Sequence, residues 1–408
     1  MTRLVDSYLA CPGVVGIEED RRRGAVNALV NGRFAFGPYL GMTYDEATAF
    51  DRFWQAELKK ASTKAEKEIV LERAYYQLSE GKTLVELFAM WAWARTKQYG
   101  TIKITANFAQ EDLMGRMWTA WETDTPFMDY IVKARQWGLS TTIQILFLLL
   151  GAHLPDITIL TMAHKTEKTM DIWRMQKDCY AAMPYRPRVQ FPKREMRFLL
   201  TGSRGRVESA EDKSPAHSSA YRLVHQSEVA RFPNPDEIDE GVSATLPERG
   251  FFVWVKESTA LGMGDSFHKG WELAEEGKSD WRATFYGWLG HPEYRRPLLP
   301  GEEAEYALNR LDDIETGLLA LGASVEQLKW WRVIVATKFK GDVGRALRQF
   351  PGTPLDAFRG AGSSAFSSMG LARVAKWMRE HPEKPKYEGN LLAIEPSGSA
   401  LTRDPLYL

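Results

Sequence analysis

Between Asp129-Tyr-Ile-Val132, a short β-type run, and Thr142-Ile-Gln-Ile-Leu-Phe-Leu-Leu-Leu150, an apolar helix candidate, lies Lys133-Ala-Arg-Gln-Trp-Gly-Leu-Ser-Thr141. Strand, tight loop and helix in that order hold phosphate in nucleotide-binding α/β sheets. Backbone N–H groups and the helix N-terminus face the anion, a basic side chain neutralises it, and a hydroxyl holds Mg²⁺. Gly138 and Ser140 fit the last part of such a loop. The lysine usual between them is replaced by Leu139, so the available cations are Lys133 and Arg135, at the front of the loop. Taken alone, the stretch fits an ordinary strand-to-helix turn with two solvated cations equally well.

Three further stretches bear on the same chemistry. The run Leu223-Val-His-Gln-Ser-Glu228 ends where ATPase sheets deliver an acidic pair, the first carboxylate orienting Mg²⁺ and the second polarising the attacking water. Glu228 fits the second role. Ser227 stands in the first, so metal binding there would run through its hydroxyl or an ordered water. The next apolar run leads into Lys256-Glu-Ser-Thr-Ala-Leu-Gly262, and the Ser258-Thr259 hydroxyls could bond the attacking water or the γ-phosphate. Upstream, Asn107-Phe-Ala-Gln110 precedes a helix over Glu111–Trp121, and the Gln110 amide could read the adenine edge; a surface amide near a helix start is the competing reading. Open α/β sheets bind ligands at the carboxyl ends of their strands, which is where polar tips on adjacent strands would meet.

The elements that must position these residues follow from pattern. Thr101–Thr105, 129–132, Asp156–Thr161, Arg197–Thr201, Tyr221–His225 and Phe251–Val255 read as strands with helical spacers such as Glu167–Ala182. The expected fold class is α/β, a parallel sheet of P-loop NTPase (ASCE) type flanked by helices, with a helical N-terminal module. Capping-box pairs Thr43/Glu46, Thr63/Glu66 and Thr83/Glu86 start the helices of that module. Trp91 and Trp93 are read as core rather than as a docking surface. Glu302–Leu321 predicts a long amphipathic helix, Ser324/Gln327 caps another, a last helix surrounds Leu371–Glu380, and Lys384–Leu408 is extended. The expected divisions are 1–100, the helical module; 101–300, the ATPase core; and 301–408, a helical subdomain and linker.

Composition narrows the function classes. The 408 residues carry 53 basic and 53 acidic side chains, so no global field draws in nucleic acid or anionic membrane, and any polyanion site must come from local clustering. Tyr185-Arg-Pro-Arg188 with Lys193-Arg-Glu-Met-Arg197 is such a cluster, although a solvated loop is the blander reading. Two cysteines, Cys11 and Cys179, make neither a disulfide framework nor a metal site. The longest apolar run is too short for a bilayer, and the start lacks signal-peptide character, so a soluble intracellular protein is expected.

Several ordered blocks resemble the large subunit of tailed-phage terminases, the motor that packages double-stranded DNA into the capsid. Lys133–Thr141 looks like its variant phosphate loop, His225-Gln-Ser-Glu-Val-Ala230 like its acidic strand end, and Glu257-Ser-Thr-Ala-Leu-Gly262 like its coupling motif. Phe285–Tyr294, Gln327-Leu-Lys-Trp-Trp331 and Gln349–Phe358 look like the segments that follow, so the resemblance covers roughly 101–408. It implies an ATP-hydrolysing motor using ATP and Mg²⁺. Lys133, Arg135, Gln136, Gly138, Ser140 and Thr141 would hold the phosphates, with metal at Ser140 and Ser227. Gln110 would contact adenine, Glu228 would activate water, and Thr259 would couple hydrolysis to movement. The implied partners are double-stranded DNA, the portal protein and the small terminase subunit. The implied assembly is a homo-oligomeric ring, with a monomer in isolation, acting without a membrane in the host cytoplasm while docked on the procapsid.

Two departures qualify the resemblance. The arginine-containing tract expected before the acidic strand reads Ser214-Pro-Ala-His-Ser-Ser-Ala220, leaving Arg204, Arg206 or Arg222 as the arginine offered to a neighbouring subunit. The family's nuclease would begin near Asp404-Pro-Leu-Tyr-Leu408, so no endonuclease activity is expected from this chain. Competing readings are a helicase-like DNA-dependent ATPase and, because of Leu139 and Ser227, a nucleotide-binding scaffold that does not hydrolyse.

Overall fold

Every residue of Leu223–Ser227 and of Val253–Ser258 is buried, so neither run can face water and both must lie inside a sheet covered on its two faces. The computed structural model, which describes residues 29–30, 33–34, 37–96, 100–212, 219–302, 311–359, 388–394 and 400–407, places them so. The strands of the main sheet are β1 (Phe127–Lys133), β2 (Thr158–Ala163), β3 (Val189–Gln190), β4 (Glu195–Phe198), β5 (Arg204–Ser209), β6 (Leu223–Ser227), β7 (Val253–Ser258) and β8 (Arg282–Tyr286). Their spatial order is β8-β1-β7-β6-β2-β5-β4-β3. From β8 to β5 all neighbours are parallel, whereas β4 and β3 complete the edge antiparallel. The α/β class with a largely parallel sheet between helices is therefore present.

One consequence of this order governs the site. β1, which leads into the Lys133–Thr141 loop, and β6, which ends before Glu228, are separated by a single strand, β7, so the tip of β7 lies between the two.

β7 is also unusual chemically, because it buries two charges on opposite faces. Lys256 donates to Asp239 of the Pro235–Ser243 helix at 2.5 Å and to the Tyr130 hydroxyl at 2.9 Å, with its ammonium 4.3–4.6 Å from the ring centres of Tyr130, Trp254 and Trp281. Glu257 turns to the other face. Buried charges persist only when paired in this way.

The N-terminal helices Tyr44–Lys60, Lys64–Ser79 and Leu84–Trp91 each begin with the complete capping box read from the sequence. They pack onto the α/β core: Tyr76 donates to the Ala152 carbonyl at 2.6 Å, Tyr185 to Asp51 at 2.9 Å, and Arg188 to Glu72 at 2.7 Å. Trp91 is fully buried and donates to Ser79. Two members of the local basic and aromatic cluster, Tyr185 and Arg188, thus have internal partners.

Several sequence expectations require correction. Thr101–Thr105 is not in the main sheet; Gly100–Lys103 forms a hairpin with Trp93–Thr96. Arg197–Thr201 is not a parallel strand. Its first two residues end antiparallel β4, and a turn through Gly202, at φ 75°, leads to the parallel strand β5. β5 escaped notice because it lies toward the sheet edge and only alternate residues of Arg-Gly-Arg-Val-Glu-Ser are buried. The expected 302–321 helix is helical over Asp313–Ala320; residues 303–310, and the helix expected around 371–380, lie outside the described residues.

The chain divides into two compact units, Met1–Leu311 with Glu315–Gly362 and Asp312–Ile314 with Ser363–Leu408. In the second, Glu388–Ile394 and Ala400–Tyr407 pair as an antiparallel hairpin. Among the described residues no helix is long and apolar enough to cross a membrane.

Candidate nucleotide site

The loop after β1 is held by its carbonyls. Tyr294 donates to the Arg135 carbonyl at 2.6 Å, Asn107 donates to that of Trp137 at 3.2 Å, and His291 Nε2 lies 3.3 Å from that of Gln136. Fixing a carbonyl fixes its peptide plane. The buried Trp137 ring adds a brace by donating to the Tyr286 carbonyl at 3.0 Å, and Arg135 N–H donates to the Gln349 carbonyl at 3.1 Å. Gln136 and Gly138 take left-handed conformations, φ 67° and 71°. Gly138 then caps the Leu139–His153 helix, whose first N–H groups have no intrahelical acceptor. Such a cradle is suited to an anion.

Gly138 is required on two counts. A Cβ there would lie 2.8 Å from Gln110 Nε2, and the positive φ disfavours any side chain. Gly138→Ala is expected to lower the unfolding free energy by about 1–2 kcal/mol, checked by denaturant titration, and to weaken nucleotide binding as the loop shifts.

Leu139, at the usual lysine position, is fully buried in the core. A buried cation stands instead at Lys133, the last residue of β1, whose ammonium lies 2.8 Å from Glu257 Oε2 and 4.0 Å from Glu228 Oε1. Burial opposes its charge, yet Glu257 and Glu228 outweigh burial and raise its pKa above the ordinary lysine value. Arg135 and Gln136 are exposed at the loop surface.

Glu257 is the hub of the site, although the sequence drew attention only to its neighbours. Ser140 and Ser227 both donate to its Oε1 at 2.6 Å, and His225 Nε2 lies 3.4 Å from the same atom. His225 Nδ1 is 2.6 Å from Gln144 Nε2, and Thr161 donates to Gln144 Oε1 at 3.1 Å. With the Gln144 amide donating to Nδ1, Nε2 is the ring nitrogen left to carry the imidazole proton. Burial pushes the Glu257 carboxyl up, but Lys133 and His225 overcome this and hold it well below the usual carboxylate range. The available sequence signal was a pair of charges, Lys256-Glu257, closing an apolar run. His225 and Gln144 were likewise polar residues inside apolar stretches.

Glu228 follows β6 in a left-handed conformation, φ 59°, its N–H donating to the Glu257 carbonyl at 2.7 Å. Its Oε2 accepts from Thr259 at 3.2 Å and lies 3.6 Å from Arg231. The structure therefore brings Lys133, Ser140, Ser227, Glu228 and Thr259 together at the carboxyl edge of the sheet.

Gln110 lines a cleft of about 170 Å³ beside the loop, with Ile104, Asn107, Gln136, Trp137 and Thr141. Its Oε1 accepts from Asn107 N–H, leaving the amide nitrogen toward Gly138. The Thr141 hydroxyl is 3.5 Å from the Met175 sulfur, on the side of the Thr166–Ala182 helix.

Arg204 opens β5 opposite Thr158, the first residue of β2, and so sits at the amino edge of the sheet, away from the phosphate loop. Arg206 lies 3.8 Å from Glu195 and 3.5 Å from Glu208. Neither faces this chain's own loop. Arg222 bonds the Phe251 carbonyl at 2.7 Å, and 213–218, most of the tract expected to hold the arginine, lies outside the described residues.

Among the described residues no group of three or more His, Cys, Asp or Glu side chains forms a cage for an ion. The donors at the loop, two serine hydroxyls and a carboxylate, fit Mg²⁺, which takes few protein ligands and completes its shell with water and phosphate.

No protein-family profile matches the chain, and no curated protein matches it. Among solved structures it is similar to the large terminase of bacteriophage HK97, at 13% identity and TM-score 0.47 over 68% of this chain and 55% of that one. It is similar also to a variant of the large terminase ATPase domain of Thermus phage P74-26, at 14% identity and TM-score 0.35 over 52% of this chain and 91% of that one. A third is the large terminase of the thermophilic bacteriophage D6E, at 10% identity and TM-score 0.38 over 53% of this chain and 50% of that one. The chain thus spans about half the length of the HK97 and D6E proteins, and all three are large terminases or their ATPase domains.

Proposed function

We propose that this chain is an ATP-hydrolysing motor domain that moves double-stranded DNA into a viral capsid. The observation that carries the nucleotide part is the convergence at one sheet edge of a braced phosphate loop, the buried Lys133 ammonium, the Ser140 hydroxyl and the Glu228–Thr259 pair, beside a cleft lined by Gln110. The ordered sequence blocks from Lys133 to Phe358 support the packaging part. In this reading Lys133 and Arg135 neutralise phosphate, with Gln136, Gly138 and Thr141 completing the loop. Ser140 and Ser227 hold Mg²⁺, which when bound screens the phosphate charge. Glu228 takes the proton of the attacking water, and Thr259, bonded to Glu228, passes the change to the rest of the motor.

The portal and the small terminase subunit are the proposed partners, and a ring of copies is the working assembly in the host cytoplasm. Arg204 and Arg206 remain the proposed arginines offered to a neighbouring copy's nucleotide. An arginine supplied in trans is worth about 10³–10⁵ in rate elsewhere, so the isolated chain should turn over slowly. The test is phosphate release with Mg²⁺ and duplex DNA, followed by ATP-dependent displacement of a third strand along intact duplex. Displacement supports the motor, unwinding of a forked duplex would replace it with a helicase, and phosphate release no greater than that of Glu228→Ala would leave a non-hydrolysing scaffold.

A further inference from the structure

We propose that Glu257 supplies the carboxylate that orients the metal-binding hydroxyl of this site, in place of the acidic residue that Ser227 does not provide. The inference rests on the reading of the loop as an Mg²⁺-nucleotide site and deepens it.

Its basis is register. Ser227 of β6 pairs with Glu257 of β7, and paired residues on parallel neighbours point to the same face of the sheet. A carboxylate missing from the end of β6 is therefore present at the same level, one strand closer to the phosphate loop. The side chains complete the substitution. Where a phosphate-loop hydroxyl binds a metal, its proton must point elsewhere so that a lone pair faces the ion. The Ser140 proton points at Glu257 Oε1, at 2.6 Å, and Ser227 donates to the same oxygen. Glu257 thus turns both hydroxyls in one stroke, and His225 Nε2 lies 3.4 Å from the same oxygen. Acidic partners that orient metal ligands in this way are typically worth 10–100-fold in metal affinity. Glu257 is a positioning residue here, since it acts through Ser140 and Ser227.

The test compares the full chain with E257Q and with S227D/E257Q, which returns a carboxylate to β6. Two affinities are measured: ADP in the presence of EDTA, by calorimetry, and Mn²⁺ in the presence of ADP, by electron paramagnetic resonance. E257Q is expected to bind ADP in EDTA at least as tightly as the parent, because Lys133 then loses the closer of its two competing carboxylates, with only Glu228 left at 4.0 Å. It is expected to bind Mn²⁺ about 10- to 100-fold more weakly. S227D/E257Q is expected to regain Mn²⁺ affinity, and it keeps one carboxylate near Lys133, so it carries the test if E257Q alone does not fold.

If Glu257 serves only to hold Lys133 in place, E257Q loses both affinities together and the double variant recovers no Mn²⁺ binding; that result overturns the proposal, as does parental Mn²⁺ binding by E257Q. A parent chain that binds no ADP with or without metal overturns the nucleotide reading, and this inference with it. A parent that binds both while E257Q is unaffected overturns this inference alone.

Discussion

Glu228→Gln should fold and bind nucleotide as the parent does while turning ATP over about 10²–10⁴-fold more slowly, the range for loss of a positioned general base. The backbone makes this residue a strong candidate. Glu228 adopts φ 59°, a region costly to a non-glycine residue, and its N–H is anchored on the Glu257 carbonyl. The carboxylate is part-exposed, and only its Oε2 accepts from Thr259, so it remains open to water. Single-turnover phosphate release set beside equilibrium ADP affinity separates the two effects. A drop in affinity equal to the drop in rate would place Glu228 in binding rather than in water activation, and unchanged turnover would remove it from the chemistry.

Lys133→Met should have the largest effect on stability. It leaves Glu257 buried with its main counter-charge removed, a change that costs about 3–5 kcal/mol when one partner of a buried pair is deleted. The deficit should depend on pH in a defined direction. In the parent, the Glu257 carboxyl is held below its ordinary value of 4.5, so its stabilisation is complete above that value and is lost as pH falls through the lower folded value. In the variant the unpaired carboxyl has no cation to keep it charged. The gap between the two proteins, measured by urea unfolding, should therefore be widest near neutrality and narrow below pH 4.5. Lys133→Met combined with E257Q should recover much of the stability while phosphate affinity stays low. A single variant as stable as the parent at neutral pH would show that the pair contributes no net stability.

Much of this site was legible in the chain, and the parts that were not share a cause. The strand, loop and helix around Lys133–Thr141 could be read because an apolar run follows a glycine and hydroxyls, all within a few residues. Leu139 looked like a defect in the loop. Its side chain is core, and the cation proposed in its place, Lys133, ends the strand before it, which no spacing rule within the loop reveals. Glu257 was hidden differently. Beside Lys256 it reads as the wet end of a strand, and only the sheet order, which sets β7 between β1 and β6, buries the two charges on opposite faces with separate partners. Gln110 was visible as an amide near a helix start, but its contact with Gly138 depends on how that helix meets the loop. The missed strand β5 and the pairing of Trp93–Thr96 with Gly100–Lys103 have the same origin, since a place near the sheet's edge or outside the main sheet leaves half a pattern.

The braces on the phosphate loop carry a consequence for how the protein is made. At the moment Gly290 is added to the nascent chain, Lys133, Ser140, Glu228, Glu257 and Thr259 have all been synthesised. Tyr294 and the Gln349 carbonyl, which fasten the loop at Arg135, have not. A nascent chain of that length carries every proposed site residue and the braces from Asn107 and to Tyr286, but lacks the Tyr294 and Gln349 clamps at Arg135, so under the proposed reading a fully stiffened cradle arrives late in translation.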